Sequence, residues 1–466
     1  MLFKGVIMDT SAIERRTVKK VTRRLIPFLF LCFAISILDR VNIGFAALQM
    51  NSDLGFSSAV FGFGAGIFFL GYFLLEVPGG ALMTKVGARA WISRIMVSWG
   101  LVSCLTAFVT TDIQFYVVRF ALGVCEASFF PCMAWYLSNW FQTKHHAKAI
   151  AGFMIAIPCA SAFGSPISTY LLQVNLWGLH GWQSLFILEA IPSLILGIIV
   201  YFFLDDKIED ASWLDASEKE WLIGVVSEEQ KLKASKKSMT FLAALKERDV
   251  LVLSVGYFSW MCGYYGIVMF LPTLVTEMSK SLSMTVIGWV IGMMYLFAAI
   301  IMYLNGLHSD KTNERRYHVA VCLVVSAIGM VGSLYAAQVN VVLGLLVYAV
   351  ALAGAYGAYS PFWAIPPAYL SGPAAAAGIA FINSVGNLGG FMGPYVMGYI
   401  STVTGVFNAG MLFLAACMVV SAVVITVFVK QTGKALHEVE NGHDQDVKQA
   451  EPVLHNNEQG ISTTYH

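Results

Sequence analysis

The run Ile37-Leu38-Asp39-Arg40-Val41-Asn42-Ile43-Gly44-Phe45-Ala46 sets an acid beside a base inside an otherwise apolar stretch, residues 25–48. A hydrocarbon core of about 30 Å is crossed by about 20 apolar residues, so the stretch is long enough to be a membrane span. Reading outward from it, runs of the same kind recur at 58–79, 90–110, 114–137, 147–171 and 184–204, and then, after a polar interruption, at 249–274, 284–305, 317–337, 340–361, 375–401 and 406–429. Twelve spans of that length fit a chain of 466 residues that is 58% hydrophobic and 12% charged. Soluble proteins carry roughly a quarter charged residues, so a soluble globular class is excluded. The runs are continuous over helical lengths instead of alternating over about ten residues, which excludes a β-barrel. The sequence predicts an all-α membrane protein with twelve transmembrane helices in two six-helix domains.

Basic residues give the orientation. Arg15, Arg16, Lys19, Lys20, Arg23 and Arg24 precede the first span, Lys85 and Arg89 follow the second, Lys144 and Lys148 the fourth, and Lys311, Arg315 and Arg316 the eighth; Lys207 to Arg248 bounds a basic central stretch. Only Lys280 falls on the other side. By the positive-inside rule both termini and the central loop are expected to be cytoplasmic. The predicted layout is a cytoplasmic tail over 1–24, a six-helix domain over 25–204, a cytoplasmic linker over 205–248, a second six-helix domain over 249–429 and a disordered cytoplasmic tail over 430–466. The basic flank before a long uncleaved run reads as the start of a retained helix, not a signal peptide. In the linker, Ser217 before Glu220 suggests the cap of a short amphipathic helix.

Formal charge is +1, from 29 Lys and Arg against 28 Asp and Glu, so no global field points to nucleic acid. The eight cysteines form no Cys-x-x-Cys pair and read as packing residues, without metal. No nucleophile elbow, phosphate loop or cofactor fingerprint is present, so an enzyme is not expected.

An ionised side chain in the bilayer costs several kcal/mol, so those that persist are paired, hydrated or functional. Asp39, Arg40, Glu76, Arg119 and Glu126 qualify, with Glu189 a weaker case, and all lie in the N-terminal half. Asp39 and Arg40 diverge by about 100° on a helix, so they do not share a direction. Arg119 and Glu126, seven apart, share a face. A salt-bridge network that only holds helices together is the plain reading, but buried ion pairs are poor stabilisers. A guanidinium matches a carboxylate with two parallel donors, so Arg40 or Arg119 would hold an acidic substrate. Burial opposes ionisation of a carboxyl and a nearby guanidinium favours it, so Asp39 or Glu126 would load and release a proton as the pocket changes. Glu76, beside Pro78, reads as a helix-end acid pairing with a basic group of the loop, and Glu189 as a structural group at a helix interface. In the C-terminal half, Asn383 and Asn387 stand one turn apart and would meet substrate hydroxyls, with tight glycine packing the rival reading. Tyr264, Tyr265 and Trp363 are weaker candidates for the cavity wall.

The turns after spans two and eight are equivalent: Gly80-Ala-Leu-Met-Thr84-Lys85-Val-Gly87-Ala-Arg89 and Gly306-Leu-His-Ser309-Asp310-Lys311-Thr-Asn-Glu-Arg315-Arg316. They resemble the signature loop of the major facilitator superfamily, although Thr84 stands where the acid is expected. Read by themselves, the turns either only fix orientation or form a gate of Lys85, Arg89, Asp310, Lys311 and Arg315; the resemblance implies two six-helix domains around a midplane cavity lined by helices one and four. The segments around Asp39 to Ala46, Gly71-Tyr72, Arg119 to Pro131, Gly181-Trp182-Gln183 and Phe381 to Gly390 are similar to the anion:cation symporter family within it. That similarity implies proton-coupled transport of a small organic anion such as galactonate, rhamnonate or tartrate, with an aromatic acid or a dicarboxylate as the alternative. Asp39 and Glu126 would be the protonation sites, Arg40 and Arg119 would couple them or receive substrate, and Tyr72 would contact the substrate. The proton is the coupling ion, no cofactor is implied, and a monomer in a bacterial inner membrane is expected.

Overall fold

A computed structural model describes residues 2–234, 247–279, 281–369 and 373–429. The expected disorder of 430–466, part of the linker, and Lys280 lie outside the described residues. The helices are α1 (Leu2–Leu54), α2 (Ser58–Val86), α3 (Ala88–Thr106), α4 (Asp112–Glu126), α5 (Phe129–Ser138), α6 (Thr143–Met154), α7 (Ala156–Leu171), α8 (Gly181–Phe203) and α9 (Ala216–Ala234). After the linker come α10 (Arg248–Met278), α11 (Met284–Thr312), α12 (Arg316–Val339), α13 (Val341–Gly357), α14 (Tyr359–Trp363), α15 (Pro366–Tyr369), α16 (Pro373–Thr404) and α17 (Phe407–Phe428).

Among the described residues, ten helical segments are long and apolar enough to cross a membrane. Helices α3 and α16 complete twelve. The first opens on Arg89 and carries Arg94, and the second is rich in glycine and carries Asn383 and Asn387, which dilutes their apolar character. Helix pairs α4/α5, α6/α7 and α13/α14 are each interrupted by a short break, which in the last pair falls near its C-terminal end. The break after Glu126 puts buried Ser128 in the left-handed region at φ 68°, with Gly79 of α2 so close that a Cβ there would meet the Ser128 Oγ at 2.1 Å.

The first helix does not begin at residue 25. Its 53 residues extend about 80 Å, far more than a bilayer thickness, so the basic flank continues the same rod beyond the membrane. There it meets the linker helix: Arg16 pairs with Asp215 and lies 2.9 Å from Glu218, and Lys20 Nζ donates to Glu218 at 2.8 Å. The linker helix starts two residues earlier than the sequence suggests. Glu218 accepts the backbone N–H of Asp215 at 2.9 Å, so Asp215 occupies the cap position and Ser217 lies in the first turn.

The two halves meet along α2 against α16, α1 against α10, and α7 against α11. At the end away from the basic residues these seams are closed by backbone contact. A Cβ on Gly62 would meet Pro394 O at 2.3 Å, and one on Gly398 would meet Ser58 O at 2.1 Å. The Ala59 N–H donates to Thr402 Oγ1 at 2.8 Å, and the Phe61 and Phe270 rings meet edge to face at 5.1 Å. Toward the basic end the halves part around a cavity of about 900 Å³.

Small residues set the close approach of helices, because side chains would hold the backbones apart. A Cβ on Gly123 of α4 would stand 1.9 Å from Phe68 O of α2, whereas one on Gly224 of α9 meets nothing within 4 Å. Gly123→Ala is expected to cost about 1–3 kcal/mol, while Gly224→Ala is neutral to stabilising by up to about 1 kcal/mol; thermal unfolding in detergent checks both. The linker contact responds to acid. Burial acts to raise the Glu218 carboxyl, but the Lys20 ammonium and the Asp215 N–H outweigh it and hold the group below its ordinary value of 4.5. A lowered folded value means the contribution is present above pH 4.5 and is lost as pH falls through that lowered value. Protection factors in α9, corrected for the intrinsic exchange rate at each pH, should fall below pH 4.5, and Glu218→Gln should remove that dependence.

Candidate functional site

The cavity wall is built from α1, α2, α5 to α7, α10, α13, α14 and α16. On α1, Ser36 and Arg40 lie one turn apart and both face the cavity. Both address one acid: Arg40 forms an ion pair with Glu126 Oε1, and Ser36 Oγ donates to the same oxygen at 3.0 Å. Glu126 Oε2 has no partner. Arg40 retains a side-chain exposure of 15% against 1% for Glu126, so it is the member of the pair that faces the cavity. Its guanidinium lies 5.3 Å from the ring centroids of Phe68 and Tyr72, and Tyr265 of α10 stands beside it.

Asp39 turns away from the cavity, as its 100° offset from Arg40 requires. It is buried, with Ser103 Oγ of α3 donating to Oδ1 at 2.5 Å and Asn42 Nδ2 to the same oxygen at 3.5 Å; Oδ2 has no partner. Behind it lies Glu189, whose Oε1 accepts from Ser168 Oγ at 2.7 Å and whose Oε2 is also without a partner. Two buried carboxyls with an empty oxygen each are poor company for full negative charge.

Arg119 does not reach the cavity wall, which corrects its expected contact with substrate. It is fully buried, with Nε donating to Gly64 O at 3.4 Å and both terminal nitrogens without a hydrogen-bond partner. The physical reason is Phe68. Its ring centroid lies 5.2 Å from the Arg119 guanidinium and 5.3 Å from that of Arg40, so one aromatic ring borders both cations. Asp39 and Glu126 are the acids whose charges act on Arg119, which places it as a hidden electrostatic link between them.

Glu76 is the largest departure from the sequence reading. Instead of pairing with a basic loop residue, it crosses to the other half and is held by α16. Asn383 Nδ2 donates to Oε1 at 2.7 Å; Asn387 Nδ2 and Ser384 Oγ donate to Oε2 at 3.1 and 3.4 Å. The misreading came from the span end: α2 stays helical to Val86, which leaves Glu76 inside the bundle. Asn383 and Asn387 do line the cavity together, with an amide N–H of each committed to an acid of the protein itself.

Tyr72, Tyr265 and Trp363 all line the cavity. So do Tyr257, Tyr356 and Tyr359, which the sequence reading left out. Tyr257 stacks on Phe362 at 4.9 Å and Tyr264 meets Tyr359 at 5.4 Å, making a continuous tyrosine wall. The spacing Tyr356-Gly-Ala-Tyr359 is the signal that would have found two of them. Ser36 was findable at one turn from Arg40, whereas nothing local marks Ser103.

At the basic end, Asp310 pairs with Arg315 at 2.5 Å across the α11–α12 turn, and Arg315 also donates to Ser309 Oγ at 3.0 Å. The first turn has no acid of its own. Asp206, after α8, supplies one: its Oδ1 accepts the Arg89 N–H at 2.8 Å beside Gly87, whose φ is +97°. The Arg89 guanidinium lies 4.7 Å from the Tyr201 ring centroid. Lys85 and Lys311 are exposed at the rim.

The description of the Major Facilitator Superfamily matches residues 29–365 and 276–457. This chain belongs to the major facilitator superfamily. It is a multi-pass membrane transporter and not an enzyme. A putative tartrate transporter of Agrobacterium vitis is 43% identical over 93% of this chain and 96% of its own length. The putative metabolite transport protein NicT of Pseudomonas putida is 39% identical over 87% and 93%, and the inner membrane transport protein RhmT of Escherichia coli is 36% identical over 90% and 96%. Among solved structures, the inward-open xylose transporter XylE of E. coli aligns with a TM-score of 0.71 at 15% identity, covering 90% of this chain and 99% of that one.

The borrowed cap at the first superfamily loop is testable. Asp206→Ala should destabilise the protein by about 1 kcal/mol, the usual cost of losing a helix N-cap acceptor. Asp206→Asn should retain most of that stability in the same unfolding assay.

Proposed function

We propose that this transporter is a proton-coupled symporter of a small hydroxylated organic anion, a sugar acid of the aldonate or aldarate kind, working by alternating access of its two halves. The observation that carries the reading is that Arg40, the cation on the cavity wall, is already shared with Glu126. An incoming carboxylate competes with Glu126 for that guanidinium. A bidentate guanidinium–carboxylate contact is strong and directional, so the substrate displaces the internal partner. Glu126, released from its counter-charge in a buried place, then takes a proton, and anion and proton are bound together. Asp39, linked to the same charges through Arg119, is the second acid available for a proton.

The charge balance favours this scheme. Moving one charge against the membrane potential costs about 2.3 kcal/mol per 100 mV, and one accompanying proton cancels that term for a monoanion. With the basic end in the cytoplasm, as the charge distribution argues, the cavity is open to the inside and the closed seams of α2 with α16 and α7 with α11 face outward. A bacterial inner membrane is the setting that fits the relatives named above. The names of the tartrate-transporter relatives support a hydroxylated acid. The tyrosine wall favours a second reading, an aromatic acid anchored by the same arginine, since flat rings stack well on such a surface.

Uptake into proteoliposomes under an imposed pH gradient, across sugar acids, aldarates, aromatic acids and other dicarboxylates, tests the assignment. Glu126→Gln should abolish accumulation driven by the gradient while leaving substrate counterflow measurable. Normal accumulation in that variant would remove Glu126 from proton coupling.

A further inference from the structure

Among the described residues, Arg40 and Glu76 are the only Asp, Glu, Lys or Arg side chains on the cavity wall, with His146 nearer the basic end. Glu76 is buried to 6% exposure, and both of its oxygens are taken by donors from the opposite half of the molecule. Those donors, two amides and a hydroxyl on one face of α16, are neutral and offer N–H and O–H groups to the carboxylate. A strut holding two domains together gains little from an acid buried among neutral groups, because desolvating the charge is costly and an apolar contact serves as well. A donor set of this kind is a seat for a carboxylate, and the one in it belongs to the protein.

The other groups around Glu76 fit that picture. Arg40 approaches from α1, Tyr72 from its own helix, and Tyr257 and Tyr265 from α10, while α16 presents Asn383, Ser384 and Asn387. One full positive charge is therefore in reach, and it is committed to Glu126. A second anionic group entering the amide seat beside an ionised Glu76 would meet like-charge repulsion in a poorly solvated place.

We propose that Glu76 is a tethered occupant of a second anion seat, which a substrate with two carboxylates takes over while Glu76 accepts a proton. This rests on the symport reading and narrows it to substrates carrying a carboxylate at each end. In the ligand-free state Glu76 fills the cradle. When substrate arrives, one carboxylate goes to Arg40 and the other to Asn383, Ser384 and Asn387. The Glu76 carboxylate leaves the cradle and takes a proton from hydronium in the open cavity, so that one O–H bond forms on Glu76 as one breaks on hydronium and a water molecule is left. Because Glu76 and the cradle lie in opposite halves, the exchange replaces a link within the protein by one that runs through the substrate. Occupancy of the seat is thereby tied to the relative position of the halves.

The test compares a hydroxylated monocarboxylate with the dicarboxylate of the same carbon count as inhibitors of uptake by the full chain in proteoliposomes, between pH 6 and pH 8. In the wild type the preference for the dicarboxylate should fall as pH rises. Glu76→Gln removes the competing charge, so at pH 8 dicarboxylate affinity should rise by about tenfold relative to the monocarboxylate, with the pH dependence of their ratio flattened. Glu76→Asp keeps the charge on a shorter arm, so it should keep the pH dependence while loosening the clasp, and it supplies the answer if the Gln variant does not fold. A wild-type ratio and pH dependence in both variants would overturn the proposal alone, as would loss of binding of both inhibitors by folded protein. A wild type that accumulates no organic anion under a pH gradient would overturn the symport reading and this proposal with it.

Discussion

The ion pair between Arg40 and Glu126 is the interaction around which the rest of the site is arranged. A guanidinium inside a membrane-spanning helix bundle needs a counter-charge, a ring face or an open space, and Arg40 has all three: Glu126, the faces of Phe68 and Tyr72, and the cavity. An arrangement with every donor satisfied inside the protein would be inert. Here the ion-paired guanidinium lies on the cavity wall and its Nε has no hydrogen-bond partner, so under the proposed reading the stability of the pair sets the threshold a ligand must exceed to replace it.

Behind the wall the polar groups are incompletely matched. Asp39 Oδ2, Glu126 Oε2, Glu189 Oε2 and both terminal nitrogens of Arg119 have no hydrogen-bond partner. Buried polar groups are ordinarily satisfied, and the exceptions concentrate where charge or protons must move. The break in the fourth span follows Glu126 directly and places Ser128 in a left-handed conformation, so the helix that carries Glu126 ends there. The backbone interruption and the unsatisfied carboxyl therefore coincide.

The two halves divide the chemistry. The first contributes Arg40, Glu126, Asp39, Arg119 and Glu76; the second contributes amides, a serine and tyrosines. The division is bridged at one end by glycine-mediated backbone contact and at the cavity by the Glu76 clasp. Glycine pairs such as Gly62 with Gly398 allow α2 and α16 to touch so closely that the opposite end is shut in this conformation, while the clasp is made of hydrogen bonds that can be exchanged.

Much was legible in the chain before any fold was known. Long apolar runs determine helices because the bilayer offers no partner for an open backbone, and loop basicity determines which ends lie together. The buried charges at Asp39, Arg40, Arg119 and Glu126 stand out because their cost is independent of neighbours. What only the tertiary structure decided is which of them faces the cavity. Arg40 does and Arg119 does not, because the position of Phe68 depends on how α2 packs on α4, and pairing of Glu76 with Asn383 and Asn387 joins residues some three hundred positions apart. Likewise Asp206 supplies the acid missing at Thr84, a substitution in space that no local pattern records. Helices follow from the local balance of hydrophobicity and backbone hydrogen bonding, whereas the partner of a buried charge is chosen by whichever distant donor the packing brings within about 3 Å.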